Sequence, residues 1–175
     1  MEKLAKAFLE MLLDEQVRRD TFASKGSFAE TSVVEFLYRY WLENALFRRG
    51  ATEVYRERLY PNQKKQIGGG KSCDLVSLLD GKEYWIEMKV AYSNTGYTKP
   101  ELKSDIEKLS EADVENRLYV VVFICEGDDL PVKLESIIDY LKELGISMCL
   151  TEGGIDQPES WHWSHSKLRV LVAEW

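Results

Sequence analysis

The chain has 175 residues, 45% of them hydrophobic and with five Trp and nine Tyr, which suits one domain around a single core and excludes a disordered polymer. No apolar run approaches the roughly 20 residues that cross a bilayer, and acidic residues run through the N-terminal MEKLAKAFLEMLLDEQ, which excludes a signal peptide; a cytoplasmic protein without a membrane partner is expected. The net charge of -7 disfavours nucleic acid in bulk, but it is unevenly spread: residues 25–110 hold 14 basic and 12 acidic side chains, and residues 111–175 hold 5 and 13. The middle of the chain therefore permits contact with DNA, while the acid is concentrated in the last third.

In chain order, Leu4, Phe8, Met11 and Leu12 recur at helical spacing and predict a helix over about 2–19. Lys25-Gly26-Ser27 breaks the pattern. A second helix is expected to about Arg49, with apolar positions Val33, Val34, Leu37, Trp41 and Leu46 and with Gly50 as its stop. Thr52–Tyr60 reads as a strand ended by Pro61, and a polar, glycine-rich loop runs to Lys71. Two apolar runs, Cys73–Leu79 and Glu83–Tyr92, flank Asp80-Gly81-Lys82 and predict a hairpin. After a loop over 93–100, a helix is expected at 101–113 and a buried strand at Leu118–Cys125. An amphipathic helix follows over 132–144, with Leu134, Ile137, Ile138, Leu141 and Leu144 on one face and Gly145 as its stop. Ile146–Leu150 and Leu168–Val172 read as two last strands. The fold class expected is α/β, a mixed central sheet flanked by helices.

The hairpin carries the chemistry. With Asp80-Gly81 as a two-residue turn, Leu79 pairs with Lys82, and the register sets Asp74 opposite Glu87. Opposed side chains project from the same face, and Lys89, two residues on, joins them. Ile86, Met88 and Val90 then point to the other face and into the core. Two facing carboxylates repel unless a cation lies between them, and hard oxygen ligands suit Mg²⁺. A nearby lysine can hold a water or stabilise charge developing at a phosphate, so the set is that of a phosphodiesterase. Glu-x-Lys alone is a weak motif and occurs again at Glu101-Leu102-Lys103; the strand context and the register distinguish the first copy.

Other signals rank lower. Gly70-Lys71-Ser72 has the ending of a phosphate-binding loop, but Lys65 stands where that motif needs glycine and a strand follows instead of a helix. Lys64, Lys65 and Lys71 in this loop are candidate DNA-backbone contacts. Trp161-His162-Trp163-Ser164-His165 has no further ligand to complete a zinc site and reads as aromatic packing or an interface, with base stacking as the lesser alternative. Cys73, Cys125 and Cys149 are scattered and odd in number, which argues for buried thiols and against disulfides. Tyr92, Tyr97 and Lys99 follow the second hairpin strand, and Asp105 and Lys108 fall near the same patch or form a surface pair.

Cys73-Asp74-Leu75-Val76 and Ile86-Glu87-Met88-Lys89-Val90, with a glutamate-bearing helix and three strands around them and a helix–strand unit after, resemble the PD-(D/E)XK, or restriction-endonuclease-like, superfamily. The resemblance covers about residues 28–125 of a single domain spanning 1–175. It implies an α/β core, a divalent metal (Mg²⁺, with Mn²⁺ as a substitute) and hydrolysis of nucleic-acid phosphodiester bonds. Carried over, Asp74 and Glu87 are the metal ligands, Lys89 the catalytic lysine, and Glu35 in Ser32-Val33-Val34-Glu35-Phe36-Leu37 the helical glutamate, with Glu43 as its substitute. Cys73 replaces the family's proline. The helix at 101–113 lacks the Gln-x-x-x-Tyr signature of the recombination exonucleases, which points to an endonuclease. DNA is the expected substrate, with RNA not excluded, and cutting both strands of a duplex suggests a homodimer. The alternative is a catalytically silent module with this fold that binds DNA or protein.

Overall fold

A computed structural model describes residues 1–14, 31–61, 72–92, 99–126, 132–156 and 165–175; within these, the side chains at 31–36, 92, 99–101, 126, 133, 155–156 and 165–166 lie outside the description. Leu4, Ala5, Phe8, Met11 and Leu12 form the buried stripe of α1, Glu2–Leu13. This helix is shorter than the periodicity suggests: Asp14 leaves it with φ -57° and ψ 139°, an extended conformation. The next helix, α2 (Thr31–Arg48), buries Tyr38, Leu42, Ala45 and Leu46, one face at i, i+4, i+7 and i+8. Gly50 follows it at φ 94°, the left-handed conformation that a helix stop requires.

The hairpin runs meet the sheet as β2 (Ser72–Leu79) and β3 (Lys82–Tyr92), preceded by β1 (Glu53–Leu59). Helix α3 (Lys99–Ser110) leads to β4 (Asn116–Glu126), α4 (Val132–Glu143) to β5 (Ser147–Asp156), and β6 (His165–Glu174) closes the described chain. The predicted helix at 101–113 thus ends earlier, at Ser110. Leu144, expected on the buried face of α4, falls past the helix end and is exposed. Gly145 there has φ 69°.

The six strands form one mixed sheet in the order β1-β2-β3-β4-β6-β5. Only β3 and β4 run parallel; every other neighbouring pair is antiparallel. The reason is the connection: parallel neighbours need a crossover, and α3 is that crossover. Each face of the sheet has its own core. Leu75, Ile86, Met88, Val90, Val120, Val122, Val170 and Val172 pack with α1 and α2. Cys73, Val76, Trp85, Tyr119, Val121, Phe123 and Leu171 pack with α3 and α4. Strand β4 is covered on both faces, which explains its unbroken apolar run. Cys73 and Cys125 are buried free thiols and Cys149 is partly buried. Among the described residues no helix is long and apolar enough to cross a membrane.

Candidate active site at the parting of two strands

Asp80 and Gly81 both have positive φ, 52° and 74°, the mark of the tight hairpin turn whose twist matches its strands. From Leu79 opposite Lys82 the register runs to Leu75 opposite Ile86, as the Asp-Gly turn predicts, and one further step is the level of Asp74 and Glu87. The strand pairing stops before that step. Asp74 Oδ2 accepts the Met88 backbone N–H at 2.8 Å, so a carboxylate takes over an edge donor of β3 where β2 veers away. Its other oxygen, Oδ1, lies 2.9 Å from an Arg39 guanidinium nitrogen on α2. Across β1, Glu57 is level with Asp74 by the flanking register of Arg56 with Leu75 and Arg58 with Cys73. It sits at φ 52°, an unfavourable backbone for a glutamate.

Glu87 belongs to the opposite layer. It is only 2% exposed. Its Oε1 accepts the Tyr60 hydroxyl at 2.7 Å and lies 2.6 Å from Lys108 Nζ of α3. Lys108 also donates to the Ser72 carbonyl at 2.7 Å, and its ammonium stands 5.5 Å from the centre of the Tyr60 ring. Tyr60 in turn stacks on Trp85, centroids 5.2 Å apart. Burial, and after it the charge of Asp74, push the Glu87 carboxyl from 4.5 up to about 7, against the opposing pull of Lys108 and Tyr60. Burial and the Glu87 charge hold the Tyr60 phenol far above its usual range, and burial pushes the Cys73 thiol up to about 12. Lys89 shares this face, its Nζ 3.7 Å from Asp105 of α3.

The two carboxylates are therefore held from opposite sides, Asp74 by α2 and Glu87 by α3, and they meet electrostatically at the end of the paired hairpin. Asp105 and Lys108 each lie against a charged residue of β3. Among the described residues no group of three His, Cys, Asp or Glu is arranged to hold a metal. Two carboxylates are nevertheless a sufficient protein share for Mg²⁺, which keeps several waters. Carboxylate oxygens are the kind of donor that magnesium and manganese take.

Glu35 lies one helical turn before Arg39 in α2, but its side chain lies outside the description. Glu43 is engaged elsewhere, accepting from Arg56 Nε of β1 at 2.7 Å. Lys64, Lys65, Lys71, Tyr97, Trp161, His162 and Trp163 lie outside the described residues, as do the side chains of Tyr92, Lys99 and His165. Arg39 and Tyr60 are the site residues that sequence reasoning missed. Arg39 had one signal, its i+4 spacing from Glu35; Tyr60, the last residue before Pro61, had none. Beside the Tyr60–Trp85 stack, a groove of about 430 Å³ is lined by Pro61, Lys82, Glu83, Trp85, Asp113 and Asn116, among others.

No protein-family model, curated protein or solved structure matches this chain.

Proposed function

We propose that the chain is a metal-dependent nuclease of the PD-(D/E)XK kind that hydrolyses nucleic-acid phosphodiester bonds, with DNA as its substrate. One observation carries this reading: about the point where β2 parts from β3, Asp74, Glu87 and Lys89 are each held by an oppositely charged residue of a neighbouring helix. The element order, a helix and three strands followed by a helix and a strand, supports it.

In this reading Asp74 and Glu87 hold Mg²⁺ or Mn²⁺. Such an ion, when bound there, would supply neutralisation of phosphate oxygens and a more nucleophilic water. Lys89, steadied by Asp105, donates toward the phosphate and the attacking water. Arg39 and the Met88 N–H fix the rotamer of Asp74, and Tyr60 fixes that of Glu87, so both carboxylates are preorganised. The free thiols of Cys73, Cys125 and Cys149 suit a reducing compartment, which we take to be the cytoplasm. A homodimer belongs to the reading wherever both strands of a duplex are cut.

A second reading has a specific observation in its favour. Each carboxylate is already neutralised by an internal cation, Arg39 or Lys108, as a silent module that binds DNA or protein would allow.

The test is cleavage of supercoiled plasmid and of short single- and double-stranded DNA and RNA, with Mg²⁺ and with Mn²⁺, alongside the molar mass in solution. Metal-dependent cleavage is expected, and Lys89→Ala and Asp74→Ala should each reduce it by about 100-fold or more. Cleavage that survives both substitutions would refute the assignment of residues. No cleavage of any substrate, with no metal uptake, would favour the silent module.

A further inference from the structure

Three charged pairs hold the site, and one of them differs in kind. Arg39 is a guanidinium fixed at one carboxylate oxygen. Lys89 meets Asp105 at 3.7 Å, too far for a hydrogen bond. Lys108 is an ammonium with three donors, and its contacts point to three places: Glu87 Oε1 at 2.6 Å, the Ser72 carbonyl at 2.7 Å, and the face of Tyr60 at 5.5 Å. Only the first is a charge.

We propose that Lys108 is a tethered cation that occupies the charge position of the divalent metal at Glu87 and gives it up when the metal binds. The inference rests on the metal-dependent reading of Asp74 and Glu87 and names a residue that regulates access to them. Negative charge on a carboxyl this deeply buried is favoured only beside a positive partner. Without metal Lys108 is that partner. When a doubly charged ion is taken up, keeping the ammonium against the same oxygen sets two cations together, and repulsion favours its withdrawal. Withdrawal costs little because the Ser72 carbonyl and the Tyr60 ring remain as a resting place on the same side of α3. The side chain is 21% exposed, so the freed donor can reach water.

Lys108 is thus a positioning residue with two consequences. It lowers metal affinity, because the ion must displace it. It also holds the Glu87 carboxyl in place through the 2.6 Å contact at Oε1, so the site does not collapse when empty.

Mn²⁺ binding, followed by loss of the free-ion paramagnetic resonance signal, separates the outcomes. Lys108→Met should bind Mn²⁺ about tenfold more tightly than wild type, the effect of removing one competing charge near a buried site. Glu87→Gln should abolish uptake with or without the lysine. A readout on the unaltered protein guards against misfolding of the variant: acetylation of Lys108 by acetic anhydride, mapped by mass spectrometry, should quicken when Mg²⁺ is added. Wild type that binds Mn²⁺ while Lys108→Met binds equally or more weakly, with Lys108 acetylation indifferent to Mg²⁺, overturns this inference and leaves the metal reading standing. Absence of Mn²⁺ uptake in wild type and Lys108→Met alike overturns both.

Discussion

Glu87 is the residue through which the site acts on the stability of the whole chain. Its folded-state pKa is about 7 against an ordinary 4.5, so between those values the folded protein retains a proton that the unfolded chain has released. Folding stability therefore falls as pH rises through this window, and it is fully present only below it. A shift of this size corresponds to at most roughly 3 kcal/mol. Glu87→Gln removes the titration while keeping an acceptor for the Tyr60 hydroxyl. Measured by chemical denaturation at pH 5 and pH 8, wild type should lose stability relative to Glu87→Gln as the pH is raised. Parallel pH dependence in the two proteins would mean that the carboxyl titrates as if in water and that Lys108 and Tyr60 compensate fully for its burial.

At the scale of elements the β2–β3 hairpin sets the site, and its turn is open to direct test. Nothing lies within 4 Å of where a Cβ at Gly81 would stand, so Gly81→Ala should cost only the strain of φ 74°, about 1 kcal/mol. Urea denaturation reads this; no loss at all would indicate a different turn. The same hairpin shows what could be read from residues in order. Asp80-Gly81 between alternating runs dictates the register, because a two-residue turn leaves little freedom, and that placed Glu87 and Lys89 on one face and Met88 on the other. The same reasoning set Asp74 on the face of Glu87 and Lys89; instead the pairing stops one step short, and Asp74 turns to the Met88 N–H and to Arg39 of α2. Its bond to the Met88 N–H depends on β2 veering off, and that depends on β1 holding Arg58 opposite Cys73, a long-range matter. Arg39 was hidden for a related reason: a polar residue on an amphipathic helix looks solvent-facing until the tilt of the helix over the sheet is known. The positions of β5 and β6 were likewise beyond local pattern, since β6 inserts beside β4 and pushes β5 to the edge.

On the scale of the whole molecule, a site held by α2 from one layer and by α3 from the other requires the two layers to stay in register, and the sheet between them is what enforces it. Strand β4 contributes Val120 and Val122 to the core under α1 and α2, and Tyr119, Val121 and Phe123 to the core under α3 and α4. Neither core can dissolve without stripping one face of the strand that the other needs, so the chain should unfold in a single step. Leu42 of α2 and Ile137 of α4 are both fully buried and lie on opposite sides of the sheet. Leu42→Ala and Ile137→Ala should each cost about 2–5 kcal/mol. Because they sit in different cores, their effects should add to within about 0.5 kcal/mol in the double variant. Far-ultraviolet circular dichroism and Trp fluorescence should report one coincident transition in every variant. If Leu42→Ala instead melted α1 and α2 first, leaving Trp85 buried under α3, the layers would be independent units. The pairing of Asp74 with Arg39 could then be lost while Glu87 kept Lys108, and the two carboxylates would no longer form one site.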